Sequence, residues 1–251
     1  LAAIPNTPPR TKGIALGENV AALWLAQRKD DRRNETAPYT YGSGPGVYQA
    51  TPPAFAPPVT PGLRNMRPFT IESASAFRAY GPPDVTSLRF AQDVKAVELL
   101  GAADSEERTK KETEIALFHT EPPPAFWSRN TRDLAIAKKL NVTDNARFFA
   151  MVFVTAADAS IACWDSKFYY NFWRPITAIR APDDGNPATK SNPNWTPLAN
   201  TPPHPEYPAA HGCAAAAFAE SVEQFFCTKY LKFTVTSTVA GTVPHVFYST
   251  D

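Results

Sequence analysis

The chain has 251 residues, 43% hydrophobic and 20% charged, a balance that builds a core and excludes an intrinsically disordered polypeptide. Its formal net charge of +1 provides no global field for nucleic acid or anionic lipid, so any strong potential has to be local. Three cysteines, Cys163, Cys213 and Cys227, form an odd set without metal-site spacing, which excludes a zinc cluster or a disulfide-rich scaffold.

In chain order, residues 14–29 carry Ile14, Leu16, Val20, Leu23 and Trp24 at helical spacing, which predicts an amphipathic first helix. Prolines then crowd residues 36–83 and forbid regular helix or a central strand there. Tyr39, Tyr41, Tyr48, Phe55, Met66, Phe69 and Phe77 supply apolar anchors, so this stretch is expected to wrap the core in order rather than act as a free linker. Helices are expected over 86–100, starting at a Thr/Ser cap and ending at Gly101, and over 105–119, opening on SEER as a capping box. Others are expected over 126–140, over 144–173 as a core helix, and over the alanine-rich 212–226. The longest apolar run, 148–157, is too short to span a bilayer, so no membrane span is expected. The tail has a β-leaning composition and reads as a loop or minor hairpin. The fold class is all-α, a helical bundle with long proline-rich loops over one end. Sequons at Asn34 and Asn141 suit a secreted glycoprotein, extracellular or vacuolar.

The segment DSKFYYNFWRP, 165–175, places Lys167 and Arg174 seven residues apart in an apolar setting. On a continuous helix they project about 20° apart on one face, with Asn171 between them. Pro175 ends that helix and frees Arg174 to turn inward. Two such cations repel, and each is costly to desolvate; a bound anion relieves both penalties. Alternatively they reach solvent or pair with Asp158, Asp165, Asp183 or Glu206. Downstream, HPEYPAAHG (204–212) leads into a helix whose first N–H groups, around Ala209 to Gly212, form an anion cradle. His211 stands in it, placed to exchange protons with a bound oxyanion or a leaving group.

These stretches, WDSKFYYNFWRPITAIR, DGNPAT and NWTPLANTPPHPEYPAAHG, resemble the vanadium-dependent haloperoxidases and their relatives, the type 2 phosphatidic acid phosphatases. The likeness is strongest to the soluble haloperoxidase-like proteins of plants and bacteria. The family's Lys-x6-Arg-Pro motif is matched at Lys167, Arg174 and Pro175, and its Pro-Ser-Gly-His motif at Pro208 and His211. The resemblance implies a vanadate cofactor, with phosphate or sulfate able to take its place. Lys167 and Arg174 would hold its oxygens, the backbone at Ala210 would donate to another, and His211 would be the acid–base residue. It implies an enzyme that uses peroxide to oxidise halide, or alternatively a phosphomonoesterase. The partners are then small molecules (peroxide, halide or phosphoester), and helical members of the family often form homodimers. Ala209 and Ala210 depart from the motif and remove one hydroxyl donor. No Arg-x6-His follows His211, so the histidine that would bind vanadate is expected to lie outside the sequence. The chain then reads as one haloperoxidase-like helical domain over 1–251 without its C-terminal segment, or as a non-catalytic secreted or storage-type oxyanion-binding protein.

Overall fold

The computed structural model describes residues 4–33 and 35–251. In chain order these form α1 (Pro8–Arg28), α2 (Leu88–Gly101), α3 (Lys110–Phe118), α4 (Pro123–Ala137), α5 (Val142–Tyr170), α6 (Pro175–Arg180) and α7 (Ala210–Phe226). A 3-10 turn covers Pro61–Asn65, and a hairpin pairs β1 (Phe233–Val235) antiparallel with β2 (His245–Phe247), Phe233 opposite Phe247. The fold is therefore all-α apart from this hairpin.

α5 and α7 set the architecture. Asn141 starts α5 by accepting from the Asp144 N–H, and no breaker interrupts the 29 residues that follow. Phe148 and Val152 of α5 pack with Phe218 and Val222 of α7 and with Leu134 and Ala135 of α4. α5 is the one described helix long and apolar enough to cross a membrane, a length the apolar run alone does not suggest. Here it packs on α7 and the 3-10 turn, with Asp158, Ser166 and Lys167 buried along it.

Several elements depart from expectation. α5 stops at Tyr170 rather than Trp173, because Asn171 takes the left-handed conformation (φ 50°) that asparagine tolerates at a helix end. A short helix, α6, starts afresh at Pro175, whose fixed φ suits a first turn. The capping box of α3 is Thr109 with Glu112, directly after SEER. Ser105 instead accepts from the Arg108 N–H and donates to the Leu99 carbonyl, closing a turn before the helix. α1 begins at Pro8 and buries none of its residues, so its apolar positions do not face the core.

The 36–83 stretch does wrap the helices in an ordered path, but polar contacts hold it as firmly as apolar ones. The buried Asp158 carboxylate accepts from the N–H groups of Phe69 (2.6 Å), Thr70 (2.7 Å) and Ile71 (3.3 Å), and from the Thr70 hydroxyl (2.6 Å). Arg78 grips Asp165 through two nitrogens, at 2.7 and 3.1 Å. Tyr48 is fully buried, whereas Phe55 and Phe77 are 63% and 72% exposed and anchor nothing. Of the two sequons, Asn34 lies outside the described residues. Asn141 is exposed, and its amide nitrogen, the one a glycan would take, donates to Asp144.

Candidate oxyanion site

Lys167 sits on the last turn of α5 with no exposed surface. Its ammonium donates to the carbonyls of Pro205 (2.8 Å) and Glu206 (2.7 Å). Burial pushes its pKa down to about 8, and the neighbouring Arg174 charge acts in the same direction.

Arg174 does not share a helix face with Lys167, as the seven-residue spacing suggests. With Asn171 left-handed, the chain leaves α5, and Arg174 becomes the extended N-cap of α6. The two cations still converge, because both reach the same loop. The Arg174 Nε donates to the His204 carbonyl (2.7 Å), and a terminal nitrogen donates to the Pro202 carbonyl (3.0 Å). That nitrogen also lies 2.9 Å from His204 Nδ1. Burial lowers the Arg174 pKa as well.

The carboxylates weighed as partners are engaged elsewhere or at a distance. Asp158 and Asp165 hold the wrap, and Asp183 accepts from the Gly185 N–H. Glu206 acts on both cations only through its field, its hydrogen bond to Lys167 being made by the main chain. Asn171 points away from the role its spacing suggested: its Oδ1 accepts from the Tyr39 hydroxyl at 2.5 Å.

The start of α7 forms the second side. Ala209 is its N-cap, without a side-chain cap or an acidic residue in the first turn. Cys213 is the first residue whose N–H bonds back into the helix, to the Ala209 carbonyl. The N–H groups of Ala210, His211 and Gly212 therefore have no intrahelical acceptor, as helix geometry dictates. The α7 start faces α5 closely: the Cys163 thiol reaches the Pro208 carbonyl at 4.0 Å, and the Cys163 and Cys213 side chains interact one turn from Lys167.

His211 is exposed on this first turn. Partial desolvation, with the Lys167 and Arg174 charges, holds its pKa below the usual histidine value, while a bond to the His119 backbone opposes the shift. The ring is thus mainly neutral at pH 7 and within electrostatic reach of both cations. It borders a pocket of about 230 Å³ lined by His119, Phe126, Trp127 and Gly212.

Sequence reasoning gave no role to His204 or His119, and read Tyr48 only as an apolar anchor of the wrap. His204 is legible in hindsight as the histidine of HPEYP. Burial, then the Arg174 and Lys167 charges, push its pKa down to about 3, so the ring stays neutral beside the guanidinium. His245, the one histidine after His211, is stacked on Phe118 and paired with Glu114 at 2.9 Å. Among the described residues no three His, Cys, Asp or Glu side chains gather to hold a metal cation. The donor set of an ammonium, a guanidinium and uncapped amides suits a tetrahedral oxyanion instead.

These features describe a helical protein with two buried cations beside the uncapped start of α7. Comparison with known proteins shows what the chain is similar to. Residues 147–248, which contain the whole cradle, match the VCPO second helical-bundle domain. The chain is 33% identical over 123 residues to the vanadium chloroperoxidase of Curvularia inaequalis, covering 41% of this chain and 20% of that protein. Among solved structures it is similar to a bacterial vanadium-dependent iodoperoxidase, with a TM-score of 0.73 and 25% identity over 91% of this chain and 56% of that one. A holo-type bacterial vanadium-dependent chloroperoxidase matches in fold, with a TM-score of 0.64 and 15% identity over 90% of this chain and 61% of that one. The chain is thus similar to the vanadium haloperoxidases over residues 147–248 and in its fold. It spans about a fifth of the curated relative and just over half of the solved ones. These relatives are fungal and bacterial, so the plant side of the resemblance gains no support from them.

Proposed function

We propose that this chain carries the oxyanion site of a vanadate-dependent, haloperoxidase-like enzyme that uses peroxide to oxidise halide. The observation that carries the reading is the fully buried Lys167 ammonium, set beside Arg174 with no carboxylate bonded to either. A buried pair of like charges is costly, and a multiply charged anion against the α7 amides offsets that cost. Lys167, Arg174 and the Ala210 N–H would hold the anion. Vanadate, when bound, supplies the activation of peroxide toward halide. His211, neutral and at the mouth of the cradle, accepts or returns a proton at the bound oxygens.

One observation favours a second reading, a non-catalytic oxyanion-binding protein. The hydrogen bonds made by both cations go to the 202–206 loop, an arrangement that would also serve structure alone. Calorimetric titration with orthophosphate and orthovanadate, with a peroxide-dependent halide oxidation assay on the same sample, separates the two. Binding with turnover supports the enzyme, binding without turnover supports the second reading, and no binding removes both.

The Lys167 pKa sets a pH dependence. With the folded value near 8 and the ordinary lysine value at 10.5, the unfolded chain holds that proton more tightly between the two. The buried charge therefore costs stability below about pH 8, and the cost fades as pH rises toward 10.5. Sulfate, whose own charge is constant there, is expected to bind progressively more weakly above pH 8. Near pH 8 its binding should take up protons, measurable by calorimetry in buffers of different ionisation enthalpy. A flat affinity from pH 7 to 10 would contradict a role for the Lys167 charge.

A further inference from the structure

We propose that the Tyr48 hydroxyl is an additional donor to the oxyanion at the Lys167–Arg174 site, contributed by the proline-rich wrap. The inference rests on the oxyanion reading above and adds a residue to it.

Backbone pairing brings Tyr48 there. The Trp173 N–H donates to the Gly46 carbonyl (3.0 Å), the Tyr48 N–H donates to the Asn171 carbonyl (2.8 Å), and Val47 stands antiparallel to Phe172. The wrap is thus clipped, like a one-rung strand, to the three residues that join α5 to Arg174. The Tyr48 side chain is fully buried and packs against the rings of Tyr39 and Tyr41, with centroids 6.0 and 6.1 Å away.

In this setting the hydroxyl has no hydrogen-bond partner. Tyr39, its neighbour on the wrap, does find one, in Asn171. A phenol sealed from water without an acceptor is costly and calls for a reason. The groups at hand on this side are donors: the Arg174 guanidinium lies near enough for its charge to act on the phenol. An acceptor with several oxygens, held by Arg174 and Lys167, is what the hydroxyl needs. Burial pushes the Tyr48 pKa up to about 12, so the group keeps its proton and donates at any ordinary working pH.

Tyr48→Phe removes only the oxygen and tests the assignment with two readouts. Without added anion, its thermal midpoint should equal or exceed that of the parent, because an unpartnered buried hydroxyl is gone. Orthophosphate binding, measured by calorimetry, should weaken about tenfold or more, as expected for a hydrogen bond to a charged acceptor. Binding within twofold of the parent, while Lys167→Met abolishes it, overturns the role of Tyr48 and leaves the oxyanion site standing. A clear fall in thermal midpoint would show that the hydroxyl has a partner within the protein, and also overturns the proposal. If the parent itself binds no orthophosphate, both this proposal and the functional reading fall together.

Discussion

Lys167→Met is expected to weaken orthophosphate binding by at least about 30-fold, from the 2–5 kcal/mol lost when one partner of a buried charge pair is removed, with the fold retained. Methionine keeps the length and apolar stem of lysine and loses only the charged end. In the parent, that end makes two hydrogen bonds to carbonyls of the 202–206 loop but has been stripped of water to do so. Leaving the two carbonyls without a donor costs about 1–3 kcal/mol each at most. Removing a desolvated ammonium beside a guanidinium offsets much of this, as replacements of buried ionic groups by apolar ones often show. The measurement is a pair: calorimetric affinity for orthophosphate, and urea unfolding of the same variant. Affinity equal to the parent's would mean that the cations serve the loop alone, and the oxyanion site would be lost as an idea. A variant that no longer folds would mean that loop closure, not ligand charge, dominates at this position. Lys167→Arg, which keeps charge and donors, would then have to restore folding.

The largest expected loss of stability lies elsewhere. Asp158→Ala is expected to cost about 3–5 kcal/mol. Asp158 is a buried carboxylate accepting four hydrogen bonds from Phe69, Thr70 and Ile71, and nothing else in that stretch accepts them. Truncation leaves three backbone N–H groups and a hydroxyl facing a cavity. Because these belong to one short piece of the wrap, the damage should be local before it is global. Trypsin should cut at Arg64 and Arg78 far faster in the variant than in the parent, at urea concentrations where α5 and α7 remain folded. Equal cutting rates, with unchanged unfolding midpoints, would show that the apolar anchors hold the wrap by themselves.

Much of the molecule was legible where local chemistry decides it. The long apolar stretch after Asn141 and the alanine run after His211 gave the two central helices. The Lys-x6-Arg-Pro spacing and the histidine at a helix start pointed to residues that the fold brings into one region, the 202–206 loop and the start of α7. What failed was local chemistry with two candidates. SEER was read as a capping box, but its fourth residue is Arg108; TKKE, Thr109 with Glu112, has the glutamate the box needs and lies where the backbone turns into α3. Asn171 was read as a helical residue between two cations, although asparagine is also a common left-handed stop. The two cations do meet, but at the 202–206 loop and not on one helix face. The remainder was not local at all. Tyr48 lies more than a hundred residues from Asn171, and His119 some ninety from His211. No periodicity or motif links positions that meet only through tertiary packing.

The left-handed residue at the end of α5 has a mechanical consequence. Were both cations on one straight rod, their separation would be set by helix pitch and nothing outside could alter it. Instead they ride on a long helix and a short one joined at an elbow. The bend of that elbow is splinted from without by Gly46–Tyr48 and by the Tyr39 phenol. The aperture between ammonium and guanidinium is therefore calibrated by a stretch of chain some 120 positions upstream, and changes there should retune ion size preference without touching either charged residue.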